Sequence, residues 1–207
     1  LSVFLSYVFL GLSLAAPIGP VNAAQMDKGI KSGFLHSWLL GLGALTADIV
    51  YMLAVYMGLV HFLETPFMQS FLWLFGFFVL MYTGIETITG AGKVELEARG
   101  QSESGFKSFL SGFLMSISNP LTILFWLGIY GSVLAKTATE YGTEELILYS
   151  SAIILGLVTW DIVMAGISSS ARLLLTARIL AFVSILSGLS LIGFAIYFGA
   201  QALKLFF

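Results

Sequence analysis

Two carboxylates stand out because of what surrounds them. Asp48 lies in Gly43-Ala-Leu-Thr46-Ala-Asp48-Ile49-Val50 and Asp161 in Gly156-Leu-Val-Thr159-Trp-Asp161-Ile162-Val163, both within apolar segments long enough to cross a bilayer. Gly, Thr, Asp, Ile and Val recur with one spacing, 113 positions from 48 to 161. A carboxylate near the bilayer centre costs about 2.5 to 3.5 kcal/mol on insertion scales, so two at matching places argue for use rather than accident. The chemistry open to them is carrying a proton or binding a cation or an amine.

A second group of residues concerns the backbone. Ala15-Ala16-Pro17-Ile18-Gly19-Pro20-Val21-Asn22 falls inside the first apolar segment, where proline removes a donor and clashes with the preceding turn. That helix must bend or break over Pro17, Gly19 and Pro20. Open carbonyls are tolerated in a membrane only where protein or a wet cavity meets them. Asn22 is placed to orient the freed groups or to bind a ligand carboxylate or amine. Ser116-Ile-Ser118-Asn119-Pro120 repeats the device in the fourth segment, with Asn119 before Pro120. Interrupted helices at matching places in two halves mark the central site of a transporter, whereas plain kinks would only pack against neighbours.

These residues need elements to hold them. The chain is 58% hydrophobic and 10% charged, with a mean hydropathy of +0.99, which is the composition of an integral membrane protein. Six apolar segments succeed one another, at about 3–26, 34–60, 67–90, 107–134, 146–169 and 178–204. Residues 1–11 resemble the core of a secretory signal but lack its basic start and run on into Pro17, so they are taken as the start of the first span. The most polar stretch, 91–106, links a first unit of 1–90 to a second of 107–207. Three spans per unit make a direct sequence repeat enter the membrane in opposite directions. The expected fold is therefore all-α, with six transmembrane helices as two inverted-topology three-helix repeats and helices one and four broken at proline. Tyr82-x-Gly84 and Tyr197-x-Gly199 match across the units in the same way.

Lys28, Lys31, Lys93, Arg99, Lys107, Arg172 and Arg178 fall in or beside the loops after spans one, three and five, against Lys136 and Lys204 on the other side. The basic loops are expected in the cytoplasm and both termini outside. A net charge of −2 gives no basic patch for nucleic acid, and the absence of cysteine removes thiol redox chemistry and thiolate metal sites. His36 and His61 stand alone near segment ends and do not make a metal pair. No His or Lys lies in the interior of a span near a serine, so no hydrolase is expected and the chain is not read as an enzyme.

Pro17-Ile-Gly-Pro20-Val-Asn22, then Asn119-Pro120 about a hundred residues on, with one aspartate in each three-span half, resembles the lysine exporter superfamily of LysE/RhtB type over essentially the whole chain. The resemblance implies export of an amino acid or related small metabolite across the bacterial inner (plasma) membrane, driven by the proton-motive force. It also implies a site formed at the breaks of Pro17 to Pro20 and of Pro120. Leu121 stands where many members carry lysine, so no substrate of the threonine or homoserine type is carried over.

On this reading Asp48 and Asp161 exchange protons for the substrate's ammonium group, while Asn22, Asn119 and the half-helix amide ends meet its carboxylate. No cofactor is expected. The coupling ion is H⁺, with Na⁺ as the alternative. Thr46 and Thr159, two residues before each acid, should bond to their own helix. Trp38, Trp73, Trp126 and Trp160 are expected as interface anchors or packing, with Trp160 turned away from Asp161. Glu86, near the cytoplasmic end of span three, is either a snorkelling surface acid or a vestibule acid. Ser184-x-x-x-Gly188 and Ala195-x-x-x-Gly199 suit pairing with a second copy and suit internal packing equally. The rival function is a channel or facilitator for a small solute or divalent cation, with the aspartates as its selectivity element. A purely structural protein would not need broken helices around polar residues.

Overall fold

Lipid offers no partner to a backbone amide or carbonyl, so an apolar chain of this kind must bond its backbone within helices. The computed structural model describes residues 2–16, 19–58, 65–90, 104–119, 122, 126, 130–131, 143–174 and 177–206. Among the described residues the elements are seven helices: α1 (Ser2–Ala15), α2 (Pro20–Ser32), α3 (Phe34–Tyr56), α4 (Pro66–Gly90), α5 (Gly105–Ile117), α6 (Thr143–Leu174) and α7 (Ala177–Phe206). Four stretches are long and apolar enough to cross a membrane, namely Phe34–Tyr56, Ser70–Gly90, Glu144–Ala171 and Ala181–Lys204. The bent pair α1 and α2, its two axes turned by 79°, is long and apolar enough when taken together and counts as a fifth if it is one span. Of the expected fourth span, α5 is too short to cross alone at about 1.5 Å per residue. Most of the chain between α5 and α6 lies outside the described residues, Pro120 and Leu121 included, as do residues 91–103 of the polar linker.

The first span does not end at residue 26. Its second piece, α2, runs on to Ser32 and keeps Asp27 and Lys31 inside the protein rather than in a loop. Hydropathy stops where charges begin, but these two charges are an ion pair at 3.0 Å, and Lys31 Nζ also donates to Thr87 O of α4 at 2.8 Å. Gly33 alone turns α2 into α3, with a φ of 85° that favours glycine.

Glycines set how closely the helices approach. A Cβ on Gly11 of α1 would lie 2.2 Å from Ile153 O of α6, and one on Gly156 would lie 2.3 Å from Val8 O. On the other side, a Cβ on Gly112 of α5 would lie 1.8 Å from Leu40 O of α3, and one on Gly43 would lie 1.9 Å from Phe109 O. The two seams share one register: 8 and 11 become 109 and 112, each 101 positions on, while 153 and 156 become 40 and 43, each 113 positions back. Helices α4 and α7 form a third seam, where a Cβ on Gly84 would meet Ile192 at 2.7 Å and one on Gly199 would meet Phe77 at 3.0 Å. Adding 115 to 77 and 84 gives 192 and 199. Trp73 and Phe198 close this seam edge to face, 5.0 Å between centroids. Large apolar side chains such as Phe9, Phe78, Ile147 and Phe182 point outward, as lipid-facing residues do.

Candidate functional site

The break between α1 and α2 opens onto a cavity of about 330 Å³. Gly19 is extended and Pro20 takes the first helical position of α2, where a missing N–H costs nothing. Both line the cavity. Asn22 serves the break from one turn further on: its Nδ2 donates to Ala15 O, at the end of α1, at 2.9 Å. Its Oδ1 accepts from Trp160 Nε1 at 3.2 Å. Tyr51 does for α5 what Asn22 does for α1, donating its hydroxyl to Ile117 O. Pro17 and Pro120, the other expected breakers, lie outside the described residues.

Both aspartates line this cavity, and each is held by the other half of the chain. Asp48, half-buried on α3, accepts at Oδ1 from Ser116 Oγ at 3.1 Å and from Trp126 Nε1 at 3.0 Å. Asp161, buried on α6, accepts at Oδ1 from Gln25 Nε2 of α2 at 3.1 Å. Gly41 makes room for that second pair, since a Cβ there would lie 2.3 Å from Gln25 Nε2 and 2.7 Å from Asp161 Cγ. Asn119 completes the wall at the end of α5, its backbone N–H on Ser116 O at 3.1 Å. The four polar residues expected at the site, Asp48, Asp161, Asn22 and Asn119, thus share one chamber with Gly19 and Pro20. Among the described residues that line it there is no lysine or arginine.

Two expectations about tryptophans need correction, and of the two readings of Glu86 the surface acid is the one found. Trp160 is not turned away from the acid beside it. Successive helical residues differ by only about 100° around the axis, and an indole reaches far enough for Trp160 and Asp161 to line the same space. Trp126 is neither an interface anchor nor plain packing, because its N–H is spent on Asp48. Glu86 has a partner on the surface, Lys107 Nζ at 2.7 Å, and is not among the cavity residues. The threonines behave as expected, Thr46 Oγ1 on Leu42 O at 2.8 Å and Thr159 Oγ1 on Leu155 O at 2.7 Å. Sequence reading missed Gln25, Ser116, Trp126 and Trp160. A signal for two of them was present: Gln25 and Trp126 stand 101 positions apart, the same step that relates α1 to α5. Among the described residues no three His, Cys, Asp or Glu gather as metal ligands.

The family model of the LysE type translocator matches residues 12–202, which include both acids and the break between α1 and α2. The chain belongs to this family. As a LysE type translocator it is a multi-pass membrane protein. It is 55% identical over 205 residues to a putative amino acid efflux protein, YcgF, of Bacillus subtilis, covering 99% of this chain and 98% of that protein. A leucine efflux protein of Enterobacter sp. is 24% identical over 195 residues, 93% of this chain and 92% of its own length. A chemotactic transduction protein, ChpE, of Pseudomonas aeruginosa is 27% identical over 160 residues, 76% and 78% of the two chains. No solved structure matches the chain.

Proposed function

We propose that this LysE type translocator exports an amino acid or a related small metabolite from the cytoplasm, in exchange for protons. The observation that carries the reading is a chamber holding two carboxylates and no described basic side chain at the opening of a half-helix. An amino acid is a zwitterion, and the chamber offers something to both of its ends. The ammonium group meets Asp48 and Asp161. The carboxylate meets the amino-terminal end of α2, where the helix dipole is positive, with Asn22 and Asn119 beside it. A volume of about 330 Å³ is at the small end of ligand cavities and suits one such solute. The names of the efflux proteins from Bacillus and Enterobacter support the same substrate class.

Protons entering from outside neutralise the acids and release the amine, and the two units rock about the broken helices to return the carrier. The architecture behind this is six spans in two inverted three-helix repeats, 1–90 and 107–207. The constant register of the glycine seams supports it, because α1 on α6 repeats as α5 on α3. The protein sits in the bacterial inner (plasma) membrane with both termini outside, as the lysine and arginine distribution favours. H⁺ is the coupling ion in this reading, and Na⁺ would fill the same role on the same acids. A Cβ on Gly188 would lie 2.6 Å from Ile88 of α4, which supports packing of that small-residue spacing within the chain.

The test is reconstitution into liposomes that hold a pH gradient and a pH-sensitive dye. Adding amino acids one at a time should discharge the gradient saturably for at least one of them, and Asp48→Asn or Asp161→Asn should abolish the discharge. Flux that neither saturates nor moves protons would make the chamber a channel instead.

A further inference from the structure

Gln25 and Trp126 hold repeat-related places and make the same bond to repeat-related acids, yet their chemistry differs. Gln25 Nε2 donates to Asp161 and Trp126 Nε1 donates to Asp48, at 3.1 and 3.0 Å. An indole N–H can only donate, so Trp126 can bond an oxygen of Asp48 in either form but cannot receive the O–H of a carboxylic acid. A primary amide both donates and accepts, so Gln25 suits either form. Gln25 is fully buried, and its Oε1 is a buried acceptor with no hydrogen-bond partner among the described residues. An orphaned buried acceptor is costly and calls for an explanation. A proton on Asp161 supplies one, because the amide can turn its Oε1 to receive it.

The other acid is fastened differently. Ser116 and Trp126 both donate to the same oxygen of Asp48, which occupies that oxygen's acceptor capacity. Among the described residues no protein donor reaches Oδ2, which is left for a ligand.

The geometry points to a division of labour between the acids: Asp161 exchanges the proton with Gln25 as its positioning residue, and Asp48 stays a fixed carboxylate for the substrate's amine. This rests on the exporter reading and refines it. The elements against α6 bring few other charges to Asp161. On α3 there are Asp48 across the cavity and His36 near its start, on α2 there are Lys28 and Asp27, the latter paired with Lys31, and described α1 carries no charged side chain.

The experiment uses the full chain in liposomes, with a uniformly labelled mixture of the common amino acids as probe. Counterflow at equal pH reads exchange without protons, and uptake against a pH gradient reads coupling. Gln25→Met and Asp161→Asn should each lose gradient-driven uptake about tenfold more than counterflow, within the usual range for coupling between two sites. Both should flatten the pH profile, and combining them should add nothing. Trp126→Phe should lower both assays in parallel and keep the profile. Gln25→Glu, which still offers an acceptor and a titratable group, should move the profile rather than flatten it, and serves if methionine disturbs packing. A wild-type profile in both Gln25 variants, or a flattened one in Trp126→Phe, would overturn the division. If the unmodified protein shows neither counterflow nor uptake, the exporter reading itself falls, and that is seen before any variant is made.

Discussion

Trp126 donates its indole N–H to Asp48 from the other half of the chain, 78 residues away in sequence. Gln25 does the same for Asp161 in the opposite sense, 136 residues away. Among the described residues, each acid takes its side-chain hydrogen bonds from the other half of the chain. Movement of one half of the chain against the other would therefore act directly on the carboxylates, as a rocking carrier needs in order to couple its motion to its charge.

Gly41→Ala tests how tightly the second acid site is built. The added carbon would fall between Gln25 Nε2 and Asp161 Cγ, so transport should drop at least tenfold, a loss of ~1.4 kcal/mol or more. Gly193→Ala on α7, with nothing within 4 Å of its Cβ, should leave transport close to wild type. Initial rates in liposomes for the two variants decide it.

Gly112→Ala and Gly156→Ala probe the helix seams rather than the chamber. Each Cβ would collide with a backbone oxygen of the facing helix, which cannot turn aside as a side chain can. Each variant should lose about 1 to 3 kcal/mol, the ordinary cost of overpacking, and melt earlier in detergent than Gly193→Ala.

Lys31→Met should be more damaging than loss of a surface lysine. It would leave Asp27, 5% exposed, without its ion-pair partner, at a cost of about 3 to 5 kcal/mol. Asp27→Asn combined with Lys31→Met should recover much of that stability, since no buried charge then remains. Thermal unfolding of the single and double variants measures the difference. Lys107→Ala, which breaks the exposed pair with Glu86, should cost only about 0 to 1 kcal/mol.

A reporter enzyme active only outside the cytoplasm, fused after Phe207, should be active, and the same fusion within residues 91–103 should be silent. The reverse pattern would mean that the span count is wrong by one.

Much of this protein was legible in its residues. Apolar runs of bilayer length, Pro17 to Pro20 in the middle of one, and aspartates 113 positions apart stem from local physics, because lipid penalises charge and open backbone wherever they occur. Those penalties singled out Asp48, Asp161, Asn22 and Asn119 before any contact was known. They could not single out Gln25, Ser116, Trp126 or Trp160, since a glutamine, a serine or an indole in an apolar helix carries no comparable penalty and each serves packing as readily as a site. Which acid each donor reaches depends on helices far apart in sequence lying side by side at glycine seams. The same holds for Lys31: hydropathy ended the first span at its charges, and only the placement of Asp27 and Thr87 around it made a buried helix of them. The sequence by itself thus determined where polar groups must be sheltered, and the tertiary structure alone decided what shelters them, because a hydrogen bond between distant segments is a property of packing geometry and not of local composition.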